Sequence, residues 1–243
     1  MCRMIAFASS DPVDVSPFLG KLSDLARCGN LVEGWEKRPG GNHPNGWGIA
    51  FRNSGGIDVR RSGNSAWGDP AFEEVRARSD RFIGHVRYAS NTATVNAANS
   101  HPFFADGVAL AHNGTFYGTL GDEADRRNVS DTLIFLERLC ALWKDRTFPK
   151  LKETIEKMLN DPALVGDYSA ANLFIATGGS LFALRRYRRN EDYYTLYVRT
   201  SPGSVVAASQ PLDDGQDWRL LGNGELVDMG GLPSGSVSLD VIS

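Results

Sequence analysis

The 243-residue chain is poor in cysteine, histidine, long apolar runs and surplus charge, and each shortage removes a class of function. Three cysteines (Cys2, Cys28, Cys140) are too few and too odd a set for a disulfide framework, which points to a reducing, cytoplasmic setting. There the Asn-x-Ser/Thr matches at Asn113 and Asn128 are chance sequons. No stretch approaches the roughly 18–20 apolar residues that span a bilayer, so no membrane is expected. Near the start only Arg3 is basic, and the apolar run ends at Ser9-Ser10-Asp11-Pro12, too short for a secretory leader. With 26 basic against 29 acidic side chains, a formal charge of -3, the chain has no electrostatic footprint for nucleic acid. Four histidines lack any Cys-x-x-Cys or His-Glu-x-x-His spacing, and no phosphate-binding or dinucleotide glycine fingerprint appears. Neither a metal nor a cofactor is expected.

What remains is ordinary globular composition, 42% apolar and 23% charged, with no shift marking a linker. One domain over residues 1–243 is the expectation. Met4 to Ala8 predicts a buried strand with Cys2 at its start. Ser16-Pro17 predicts a helix start and Gly29-Asn30 its stop, with Leu19, Leu22, Leu25 and Ala26 on one face. Strands are predicted at Trp47–Phe51, Ile57–Arg61, Phe82–Tyr88 and Val108–His112, with a short helix from Asp69-Pro70 to Arg78. Ser130 caps a further helix, and Pro149 opens another through Met158. Strands then return at Asn172–Ala176, Leu181–Tyr187, Tyr193–Val198 and Val205–Ser209. Strands, a helical middle and strands again make an α+β fold with largely antiparallel sheet.

The residues able to do chemistry are scattered. Once the initiator Met is removed, Cys2 carries a thiol and a free α-amine on one residue. Amines of that kind titrate at about 8 and thiols at about 8.5, so nucleophile and base can be the same residue. The alternative is an inert, packed cysteine. Asn113-Gly114 offers a carboxamide and a glycine N–H, a pair that can hold an oxyanion; the same dipeptide is also a common hairpin turn. Arg87 has the planar fork for a carboxylate, or is a sheet-edge cation. Asp131 can bind an ammonium group, or complement a helix dipole. Arg87 with Asp131 would suit the two ends of an amino-acid zwitterion. Cys28 and Cys140 lie in apolar helical patterns that favour inert packing.

In this order, Met1-Cys2-Arg3, Asn45-Gly46-Trp47-Gly48, Gly84-His85-Val86-Arg87, Asn99-Ser100-His101-Pro102-Phe103, His112-Asn113-Gly114 and Ser130-Asp131-Thr132 resemble the class II glutamine amidotransferases. Val205 to Leu212 resembles a late segment of the same family. The resemblance implies a four-layer αββα sandwich, with Cys2 as nucleophile, Asn113 and Gly114 as oxyanion hole, Arg87 on the α-carboxylate and Asp131 on the α-ammonium. Tyr88, Ser90 and His101 fall at pocket-lining positions, for substrate contact or structural support. It also implies a small-molecule substrate, glutamine or a γ-glutamyl amide, with a synthase or a second copy as possible partner. Three positions depart from the family pattern: Asn45 replaces an Asp, Leu133 a Glu, and Asn91 a His. Asn45 and Leu133 keep open a non-catalytic relative that binds an amino acid or a partner enzyme.

Overall fold

The computed structural model describes residues 2–29, 41–89 and 92–230, and the backbone of 235–238. A seven-stranded antiparallel sheet is centred on β1 (Arg3–Asp14), which lies between β4 (Arg78–Val86) and β10 (Ser204–Ala208). Beyond β4 come β2 (Trp47–Asn53) and β3 (Gly56–Ser62); beyond β10 come β9 (Tyr197–Ser201) and β11 (Arg219–Leu220). A six-stranded sheet runs β13 (Gly235–Ser238), β12 (Glu225–Asp228), β8 (Leu181–Arg185), β7 (Asp167–Ala176), β6 (Val108–Tyr117) and β5 (Phe103–Ala105).

Each sheet is buried on both faces, which is why β1 and β7 read as continuous apolar runs rather than alternating ones. Ile5, Phe7, Phe82 and Ile49 point outward beneath α1 (Ser16–Arg27) and α2 (Pro70–Glu73). Leu19, Leu22 and Leu25 of α1 each contribute about 1.5–3 kcal/mol by that burial. On the second sheet, Leu110, Phe116, Leu173 and Ile175 pack under α3 (Thr119–Arg127), α4 (Asp131–Leu142) and α5 (Phe148–Asn160). Between the sheets the facing side chains are small: Ala6, Ala8, Ala50, Ala109, Ala111, Ala183 and Ala207, filled out by Met4, Ile83 and Phe174. The layers are therefore helix, sheet, sheet, helix, the expected αββα order. Among the described residues no helix is long and apolar enough to cross a membrane.

Several local expectations need correction. β1 continues through Ser9-Ser10-Asp11-Pro12 to Asp14, with an irregularity between Ala8 and Val13 where the chain slips before rejoining β4. Val15, not Ser16, is the cap of α1, and Asp14 Oδ1 accepts from the Ser16 N–H. The helix after Asp69 ends at Glu73, since the chain is already in β4 by Arg78. The strand expected from Tyr193 begins at Tyr197, because the N–H groups of Tyr193 and Tyr194 turn back onto the Asn190 carbonyl. Most important, β6 does not end at His112 but runs on to Tyr117, so Asn113-Gly114 is in mid-strand and not a turn. Helix α3 has no counterpart in the sequence reading; its surface is polar, and only Leu120 and Ala124 are buried.

Candidate active site

The alanine layer between the sheets gives way to polar residues at one end. There β1 starts, with Arg3 opposite Val86 and Met4 opposite His85, which sets Cys2 beside Arg87. A cavity of about 330 Å³ opens at this point, lined by Cys2, Arg87, Tyr88, His101, Gly114 and Asp131 among others. Asn113 adjoins it through Cys2. The Cys2 N–H donates to Asn113 Oδ1 at 3.1 Å, while Asn113 Nδ2 is buried without a hydrogen-bond partner among the described residues. The Cys2 Sγ is 3.9 Å from the Tyr88 carbonyl oxygen. Of the eight residues singled out by sequence, seven meet here; Ser90, like Asn91, lies outside the described residues.

The motifs that frame the cavity have physical reasons. Strand β1 follows directly on Cys2. Ser209 clasps it, donating its N–H to the Met4 carbonyl while its hydroxyl accepts from the Met4 N–H. Arg3 Nε reaches Gln210 Oε1 at 3.2 Å. A Cβ at Gly46 would strike Ser100 Oγ, and one at Gly48 would overlap the His101 carbonyl oxygen, so the glycines around Trp47 let the 100–101 segment lie against β2. A Cβ at Gly114 would overlap the Ala170 carbonyl oxygen on β7. Asn45 Oδ1 accepts from the Ala89 N–H at 3.1 Å, a task for a neutral carbonyl, so the missing Asp charge is not needed for this contact. Leu133 packs half-buried against the outer core of the second sheet.

Arg87 and Asp131 bring charge to the cavity. Arg87 donates from Nη1 to the Thr94 carbonyl (2.6 Å) and from Nη2 to Thr94 Oγ1 (2.7 Å). Burial pulls its guanidinium below the usual arginine value, opposed by the neighbouring Cys2 and Asp131. Thr94 was missed by sequence reading, since it stands in a polar stretch with no motif around it. Asp131 is the first residue of α4, whose cap Ser130 accepts from the Thr132 N–H. Its Oδ2 accepts from the Phe116 N–H (2.8 Å) and its Oδ1 from the Thr132 N–H (2.8 Å). Asp122 and Asp125 of α3 also line the cavity, giving three carboxylates against one guanidinium.

Behind these groups His85, His101 and His112 form a buried file, with ring centres 4.4 Å apart between His85 and His101. Burial, then the Arg87 charge, pushes His85 down to about 3; burial also lowers His101 and His112. All three are neutral near pH 7, and His101 ties the walls together through the His112 carbonyl (3.1 Å) and Ser130 Oγ (3.4 Å). They brace the site. A free histidine base is not among them.

The first 202 residues match the family model of the class II glutamine amidotransferases. The chain belongs to that family. A Mycolicibacterium smegmatis protein named γ-glutamyl-hercynylcysteine sulfoxide hydrolase is 30% identical over 94% of this chain and 96% of its own length. A Methanocaldococcus jannaschii protein without an assigned function is 28% identical over 76% of this chain, and that match spans only 61% of the relative's length. Among solved structures, a class II domain protein of Silicibacter pomeroyi superposes with a TM-score of 0.65 at 18% identity, covering 98% of this chain and 99% of the other. That likeness shows the amidotransferase fold, and the αββα layers fit it.

Proposed function

We propose that this amidotransferase hydrolyses the γ-carboxamide of glutamine or of a larger γ-glutamyl amide, with Cys2 as nucleophile. One observation carries the reading. The Cys2 nitrogen is held by Asn113 Oδ1 while the Asn113 amide donor stays open, in a cavity that also contains Arg87 and Asp131. Removal of Met1 turns the Cys2 N–H into a primary amine that accepts the thiol proton, directly or through water. The sulfur then attacks the amide carbon, and Asn113 Nδ2 with the Gly114 N–H receives the oxyanion. The Cys2 ammonium returns the proton to the leaving amine, and water hydrolyses the thioester to glutamate through a second oxyanion. No synthase enters these steps.

Arg87 takes the α-carboxylate and Asp131 the α-ammonium, fixing the orientation of the γ-carbon. Tyr88 and His101 also line the cavity, as do Tyr117, Gly118, Asp122 and Asp125. In a γ-glutamyl amide with a larger amine, the class named in the Mycolicibacterium relative, that amine leaves from the Cys2 end, away from the grip on the α-groups.

The test starts with intact mass of the purified protein, before and after a glutamine-like electrophile. Loss of the Met1 mass and one adduct on Cys2 are expected, and Cys2→Ala is expected to fold with turnover abolished. Normal hydrolysis by Cys2→Ala would overturn the reading.

A further inference from the structure

Two buried carboxamides stand side by side at the Cys2 end of the inter-sheet layer, and the chemistry above uses one. Asn172 of β7 is directly opposite Asn113 of β6, so their Cβ atoms are about 4.5–5.5 Å apart and the side chains leave the same face. Both are shut off from solvent. Asn172 Oδ1 accepts from the Arg186 N–H at 3.1 Å, which fixes its orientation and sends Nδ2 elsewhere. That nitrogen, like Asn113 Nδ2, has no hydrogen-bond partner among the described residues. A buried donor left unmade costs about 1–3 kcal/mol. The next cross-strand pair on this face is Ala111 with Phe174, so apolar packing is what the neighbourhood would otherwise accept. Asn113 Oδ1 supplies the acceptor: a carbonyl oxygen has two lone pairs, and the Cys2 nitrogen uses one.

We propose that Asn172 is the positioning residue for Asn113, its Nδ2 donating to the second lone pair of Asn113 Oδ1 during turnover. This rests on the reading of Asn113 as an oxyanion donor. An asparagine amide can rotate by half a turn, and the wrong face would set an oxygen against the oxyanion. The Cys2 amine alone is an inconstant guide, because it gains and loses a proton in each cycle. A neutral carboxamide does not titrate and holds Asn113 the same way throughout.

Asn172→Asp keeps the acceptor for Arg186 and removes the donor; Asn172→Ala reads the same quantities if that variant fails to fold. The measurements are kcat per Cys2 labelled by the electrophile, KM, and a double-mutant cycle with Asn113→Ala. Expected is a kcat about tenfold lower per labelled site with KM within about twofold, and no further loss in the Asn113→Ala background; one oxyanion donor is worth about 10²–10³ in kcat, and only its aim is lost here. Unchanged kcat per labelled site, or the same fold-loss without Asn113, would overturn the proposal. A wild-type protein without Cys2-dependent turnover sinks this and the reading above together, whereas an active wild type with an indifferent Asn172 sinks this one alone.

Discussion

Arg87 and Asp131, on one side of the cavity, are engaged before any substrate arrives: Thr94 holds both Nη atoms of the guanidinium, and backbone N–H groups from two elements fix the carboxylate. Asn113, by contrast, has its amide donor open, and Asn172 directly across from it on β7 does too. In the proposed reaction the difference follows what each group would bind. A zwitterion is present from the first encounter, so its partners profit from being fixed in advance. An oxyanion exists only at the barrier, so its donors are left unspent until then.

Asn113→Ala attacks this contrast at its strongest point. It is expected to lower kcat about 10²–10³-fold with KM changed by no more than a few-fold, read by steady-state hydrolysis of a γ-glutamyl amide. A KM effect alone would erase the distinction between the two sides. Arg87→Ala should do the reverse, raising KM about 10–100-fold with kcat much less affected, because a remote carboxylate grip is largely uniform binding. An unchanged KM would show that the guanidinium serves Thr94 only.

The smallest effect concerns the bracing behind both sides. His85 sits at about 3 in the folded chain against 6.5 when exposed, so the unfolded chain binds the extra proton. Its contribution is therefore fully present above about pH 6.5 and is lost as pH falls toward 3, by up to about 1.4 kcal/mol per pH unit. His101 and His112 shift in the same direction. The urea midpoint should fall between pH 7.5 and pH 5, less steeply in His85→Asn. A flat midpoint over that range would mean the histidines are not shielded.

Much of this was legible in the sequence. An apolar run placed β1, apolar spacing placed α1, Ser130 and Pro149 marked the starts of α4 and α5, and the scattered motifs named the residues that meet at the cavity. What failed was local chemistry overruled at a distance. Asn113-Gly114 has the composition of a turn, yet pairing with Asn172 and Ala171 across β7 keeps it extended. Pro12 reads as a break, but a bulge absorbs it. Thr94 and Asn172 carry no signal of their own, since their importance comes from which side chain stands opposite, and only the assembled sheets decide that.

The clasp of Ser209 and Gln210 on β1 has a bearing on how the protein is made. Cys2 and Met4 are synthesised before the side chain that accepts from the Met4 N–H, which follows 205 residues after that amide. Until the late strand arrives, β1 is open along the edge that β10 will cover. Assembly of the cavity around Cys2 thus waits for Ser209, and a chain cut short before that residue keeps the thiol but loses this fastening of β1.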